Sequence, residues 1–122
     1  MRGATFSRII MYVRDMPKVA AFYEQHFGFE VKPGGTGEDI RLTPSGGGCE
    51  VLLLQASKGH RTGQSIIKLV FDVEDVEAFK EERAKAGLKF GKTWKGEGYS
   101  FANARDPAKN LVQISERRLA GR

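Results

Sequence analysis

The stretch VRDMPKVAAFYEQHFGFEV, residues 13–31, carries a helix with both of its ends marked. Asp15 is placed to cap the N-terminus, and Pro17 falls in the first turn, where a missing N–H costs little. Val19, Phe22, Tyr23 and His26 recur at helical spacing, and Gly28 supplies the stop. Ahead of the helix, residues 7–13 (SRIIMYV) alternate as a strand. Ile9, Met11 and Val13 share one face; Arg8, Ile10 and Tyr12 share the other. Behind the helix, FEVK (29–32) reads as a second strand and PGGTGE (33–38) as a turn. Residues 39–43 make a third strand, PSGGG (44–48) another turn, and residues 49–55 a fourth strand.

The same pattern returns. Val13-Arg14-Asp15-Met16 is matched by Val73-Glu74-Asp75-Val76, 60 residues on, and AFYEQHFGFEV (21–31) aligns with AFKEERAKAGLKF (78–90). Residues 66–73 form a strand, with Ile67, Leu69, Phe71 and Val73 on one face and Lys68, Val70 and Asp72 on the other. Asp75 caps a second helix carrying Val76, Phe79 and Ala86, and Gly87 ends it. Short strands near 88–93, 100–104 and 110–115 complete the repeat. A missed repeat misassigns a whole fold. Here the unit is strand–helix–strand–strand–strand, used twice.

This predicts an α+β fold of two tandem βαβββ modules, about 5–57 and 64–117, in one domain covering 1–122. One helix covers only one face of its four strands, so the other face needs a partner. Two copies would form a curved mixed sheet of eight strands, helices outside and a cleft inside. Arg8, Ile10, Tyr12, Lys68, Val70 and Asp72 would then point into the cleft.

Composition limits the function. Forty per cent apolar and 29% charged residues describe an ordinary globular chain, and 122 residues can bury a core unaided. The single cysteine, Cys49, excludes an internal disulfide framework, and a reducing cytoplasmic setting is the expectation. No signal-peptide h-region or membrane-length apolar run is present. The net charge of +5 gathers at 58–61, at 89–95 and at Arg117, Arg118 and Arg122. Neither a recognition helix nor an RRM-type aromatic motif accompanies these charges, so nucleic acid is not an expected partner. The Gly clusters at 34–37 and 46–48 lack a following Lys-Ser/Thr and a helix, and read as hairpin turns rather than phosphate loops. His26 suits the negative end of its helix, His60 reads as a solvated loop residue, and Cys49 as a small strand residue.

VRDMPKVAAFYEQHFGFEV resembles the V-x-D-(helix)-F-Y-x-x-x-L-G-F opening of the vicinal oxygen chelate proteins, the glyoxalase, bleomycin-resistance and extradiol-dioxygenase group. LVFDVEDVEAF (69–79) resembles the opening of that family's second module, and RDPAKNLVQI (105–114) its closing D-P-D-G-N-x-x-E-L. The resemblance implies the two-module fold and a homodimer. In metal-dependent members it also implies four ligands to a divalent ion, on the first, fourth, fifth and eighth strands. By register these fall on Arg8, within 51–55, on Lys68 and on Gln113.

Arg8 and Lys68 only donate, and a cation repels Zn²⁺, Ni²⁺ or Fe²⁺. Gln113 alone offers an acceptor oxygen. The expectation is therefore a cleft without a metal or other cofactor, taking a small anionic or polar-aromatic ligand. Arg8 and Lys68 would supply charge, Gln113 a polar anchor, and Tyr12, Trp94, Tyr99 and Phe101 aromatic walls. Cationic glycopeptides such as bleomycin would need an acidic cleft instead. Two other readings compete. One is an enzyme of lyase, isomerase or dioxygenase type, with a displaced divalent metal or with Tyr or Lys as base. The other is an interaction module whose cleft a homodimer partner closes. Arg8 and Lys68 could also simply pair with Asp72 or a nearby Glu, and Gln113 could be a satisfied buried amide.

Overall fold

A computed structural model describes residues 3–35 and 37–117. Arg118 and Arg122, counted among the basic residues, lie outside the described residues. The chain divides into two compact units, Met1–Thr62 and Gly63–Arg122. Each holds one helix and a four-stranded mixed sheet, which are the α+β class and the βαβββ unit expected from the repeat.

In the first unit, β1 (Arg8–Val13), α1 (Met16–Phe27), β2 (Phe29–Pro33), β3 (Ile40–Pro44) and β4 (Glu50–Gln55) form a sheet of order β1-β4-β3-β2. β1 runs parallel to β4; the other pairs are antiparallel. Asp15 caps α1 as its sequence position implies, accepting from Lys18 N at 3.1 Å. Gly28 ends it at φ 71°, a left-handed conformation that costs glycine least. The helix buries Val19, Phe22 and Tyr23 against a sheet face of Met11, Val13, Leu42, Val51 and Leu53. Burying side chains of this size contributes roughly 1.5–3 kcal/mol each before entropy is charged against it.

The second unit repeats the arrangement. β5 (Lys68–Asp72), α2 (Val76–Lys85), β6 (Trp94–Lys95), β7 (Ser100–Arg105) and β8 (Leu111–Ser115) give the order β5-β8-β7-β6. Asp75 accepts from Ala78 N at 3.0 Å to cap α2. Val76, Leu88, Ala102, Val112 and Ile114 are buried. The strand expected at 88–93 is not one. Leu88 turns inward, Gly91 N donates to Asn103 O at 2.9 Å, and a regular ladder forms only at Trp94–Lys95 beside the hairpin. The fifth strand also starts later than expected, at Lys68, leaving Ile66 and Ile67 exposed before it.

Asp106 organises the loop into β8. Its Oδ1 accepts from Ala108 N and Asn110 N, both at 2.9 Å, and its Oδ2 from Asn110 Nδ2 at 3.1 Å. The turn places Lys109 at φ 69°, where a side chain is strained. The motif RDPAKNLVQI thus fixes where β8 begins and which of its residues face away from the core.

Candidate functional site

Period-two alternation decides the second unit's open face. Ala102, Val112 and Ile114 turn to the core. Their neighbours Phe101, Asn103, Gln113 and Ser115 therefore turn the other way. Strand register places Gln113 beside both Val70 and Asn103, and Phe101 beside Ser115. The result is a concavity of about 510 Å³ lined by Lys68, Val70, Asp72, Tyr99, Phe101, Gln113, Ser115 and Arg117.

Asn103 is the polar centre of this face. Its Oδ1 accepts from Gln113 Nε2 at 2.9 Å and from Lys68 Nζ at 3.3 Å. Gln113 therefore presents its remaining amide donor and its carbonyl oxygen to a visitor. The aromatic wall is Phe101 with Tyr99, ring centroids 5.8 Å apart, and the Arg117 guanidinium lies 5.3 Å from the Tyr99 ring centre.

Four of the expected ligand residues thus meet in one concavity: Lys68, Tyr99, Phe101 and Gln113. Trp94 pairs with Phe101 in register but does not line it; its ring lies under Lys92 Nζ at 4.1 Å. Arg8 and Tyr12 belong to the first unit, on the exposed side of β1. There Arg8 stands opposite Glu50. Glu50 Oε2 accepts from Arg41 Nη2 at 2.6 Å, Arg41 Nε at 2.9 Å and Thr43 Oγ1 at 3.2 Å. The Arg41 hydrogen bonds hold the Glu50 carboxyl below its usual range against the opposing effect of desolvation, helped by Thr43 and by the charges of Arg41 and Arg8. Of the pairings expected for Arg8 and Lys68, Arg8 stands beside a glutamate, Glu50, whereas Lys68 takes the Asn103 amide in place of a carboxylate. Tyr12 lies against His60, ring centroids 4.6 Å apart and tilted by 44°, while His60 is exposed in its loop as expected. His60 Nδ1 also accepts from Ser57 N at 2.9 Å.

The register also settles which β4 side chains share the face of Arg8: Glu50, Leu52 and Leu54, with Val51 and Leu53 on the buried side. Within the 51–55 window the open-face candidates for a metal ligand are therefore leucines. No group of three His, Cys, Asp or Glu residues that could hold a metal ion occurs among the described residues. At the position of the usual carboxylate, Gln113 offers a neutral amide, and the ammonium of Lys68 shares its Asn103 partner. This donor set does not fit a divalent ion.

Asn103 and Arg117 were not among the expected site residues. Period two would have found both. Asn103 is the one amide in FANA (101–104) two residues from Phe101, and Arg117 continues the series Gln113, Ser115.

A family model described as the Glyoxalase/Bleomycin resistance protein/Dioxygenase superfamily matches residues 5–114. Comparison with curated proteins found no match. Among solved structures, the chain is similar to TnmS3, an antibiotic binding protein from Streptomyces sp. CB03234. That similarity has a TM-score of 0.76 and 20% identity, over 93% of this chain and 96% of that one. It is similar to UcmS2, with a TM-score of 0.77 and 23% identity, over 96% and 100%. It is also similar to a lactoylglutathione lyase from Agrobacterium tumefaciens, with a TM-score of 0.74 and 20% identity, over the full length of both. At these identities the likeness establishes the fold. Among the described residues, no helix is long and apolar enough to cross a membrane.

Proposed function

We propose that this chain, which belongs to the Glyoxalase/Bleomycin resistance protein/Dioxygenase superfamily, is a metal-free binding protein for a small anionic or polar-aromatic molecule. The observation that carries this reading is the concavity on β5, β7 and β8, where Lys68, Gln113, Tyr99 and Phe101 line one space. Its volume, about 510 Å³, suits a drug-sized ligand. The ring pair provides stacking area, Lys68 and Arg117 provide positive charge, and the Gln113–Asn103 pair provides directional donors and acceptors.

A binder fits this site better than a general base does. Lys68 Nζ is already engaged as a donor to the Asn103 amide oxygen, at 3.3 Å, which suits a fixed polar anchor for a ligand. The fold neighbour named as an antibiotic binding protein supports the same reading, whereas the lyase neighbour shows that the fold also serves catalysis. Homodimerisation and a cytoplasmic location belong to the proposal. Ile10 and Tyr12, on a sheet-edge strand, are about half exposed, which suits burial against a second copy.

The test is a thermal-shift and titration screen of aromatic carboxylates against the wild type, Lys68→Ala and Phe101→Ala, with metal content measured by elemental mass spectrometry. The expected result is saturable stabilisation, about 2.7 kcal/mol at a ligand excess of 100 times Kd, weakened in both variants. Binding that ignores both substitutions would sink the site assignment. Close to one tightly held divalent ion per chain would sink the metal-free reading.

A further inference from the structure

Beside the concavity lies a second one of about 500 Å³, lined by Glu97, Gly98, Tyr99, Glu116 and Arg117. Tyr99 and Arg117 line both spaces. Their stacked pair is therefore the wall between them. The position of that wall is built in. The end of the Tyr99 ring lies against Gly96: a Cβ at residue 96 would collide with Tyr99 Cζ and stand 2.7 Å from its hydroxyl oxygen. Gly96 N donates to Tyr99 O at 2.8 Å, closing the hairpin that holds the ring there. On the other side the Arg117 backbone is anchored, its N–H donating to Ser115 Oγ at 3.0 Å, while Glu116 N donates to Ser100 O at 3.0 Å.

The two spaces differ in sign. Lys68 and Arg117 outweigh Asp72 in the first; Glu97 and Glu116 outweigh Arg117 in the second. Glu116 is held in place by Val76 N, at the start of α2, which donates to its Oε2 at 2.7 Å. From this we infer that the two concavities are compartments of one ligand site. Its ligand is a two-part molecule, with a planar anionic aromatic head against Phe101 and Gln113 and a cationic arm passing the Tyr99–Arg117 wall to Glu97 and Glu116. The inference rests on the ligand-binding reading above and adds the ligand's polarity and the residues that select it.

The test compares two probes by isothermal titration at low salt: 2-naphthoate, which is head only, and 6-(2-aminoethoxy)-2-naphthoate, which adds an ammonium arm. The arm is expected to tighten binding at least tenfold in the wild type. Glu97→Gln should remove that gain, read as the ratio of the two probes' affinities in the same variant. Gly96→Ala, which pushes the Tyr99 ring off its seat without changing any charge, should weaken both probes fivefold or more while the fold, read by circular dichroism, persists. If 2-naphthoate binds but the arm adds nothing, or its gain survives Glu97→Gln, the two-compartment inference is wrong and the simpler site stands. If Gly96→Ala leaves both affinities intact, the Tyr99 wall is not part of the site and the inference falls. If neither probe binds the wild type, the ligand reading fails and takes this inference with it.

Discussion

Gln113 and Asn103 stand side by side across β8 and β7, and the amide nitrogen of Gln113 donates to Asn103 Oδ1 at 2.9 Å. Lys68 donates to the same oxygen from β5. One amide thus orients two side chains from two different strands. Gln113 is the position where the resemblance puts a metal-binding carboxylate, and a neutral amide is the residue that can share an acceptor with a lysine.

Asn103→Ala removes that shared acceptor. Lys68 and Gln113 remain solvated enough to find water, so the stability loss should stay within about 0.5–1.5 kcal/mol. Ligand affinity should fall further, about tenfold, because both side chains lose their orientation. Urea denaturation and titration of the same variant separate the two effects, and equal losses in each would contradict the positioning role.

The Arg41–Glu50 pair predicts a pH dependence in the first unit. The Glu50 carboxyl is held low chiefly by the Arg41 hydrogen bonds. Its contribution is therefore complete above the ordinary glutamate range, near pH 4.3, and disappears as pH falls through the lower folded-state value. The melting-temperature advantage of the wild type over Glu50→Gln should be present at pH 7, shrink below about pH 4.3 and vanish at more acid pH. Salt should reduce it at pH 7, since the pair is partly solvated. An advantage that grows on acidification would contradict this sign.

Lys109 sits at φ 69° in the loop that Asp106 ties together. A left-handed residue with a side chain costs roughly 1–2 kcal/mol, and glycine gives back part of the gain through the unfolded chain. Lys109→Gly should therefore stabilise the protein by about 0.5–1 kcal/mol, and Lys109→Val should destabilise it. Chemical denaturation midpoints of the two variants should move in opposite directions.

Asp106→Ala removes the acceptors for Ala108 N, Asn110 N and Asn110 Nδ2 from a buried carboxylate. Leaving such donors without their partner costs about 1–3 kcal/mol. Because the loop sets the start of β8, ligand binding at Gln113 should weaken together with stability. Asp106→Asn, which keeps an acceptor oxygen, should recover part of both in the same denaturation and titration assays.

Much of this molecule was legible before any coordinates. Asp15 with Gly28 and Asp75 with Gly87 bracket the two helices, because capping and chain reversal depend on residues a few positions apart. The alternation of Arg8, Ile10 and Tyr12 with Ile9, Met11 and Val13 is equally local, and the 60-residue echo required only comparison of the chain with itself. Lys68, Gln113 and Phe101 follow from the same period-two rule, applied once the strands are known. The sequence did less well where non-local hydrogen bonds decide. Residues 88–93 alternate plausibly, yet the ladder with β7 forms only at Trp94–Lys95, because pairing is set by the hairpin that Gly96 and Tyr99 close.

The partners of each functional side chain were tertiary decisions. Arg8 and Glu50 are 42 positions apart in sequence and adjacent only because β1 lies parallel to β4. Asn103 gains its role because β8 beside it brings Gln113, and β5 one strand further on brings Lys68, to one oxygen. Arg117 looks like a basic tail residue until Tyr99, given room by the absence of a side chain at Gly96, offers its ring. Sequence by itself determined the two modules and the residue types on each strand face, since these rest on short-range geometry. Tertiary structure alone decided which of those residues share a partner or a cavity, since strand register joins positions that no local pattern links.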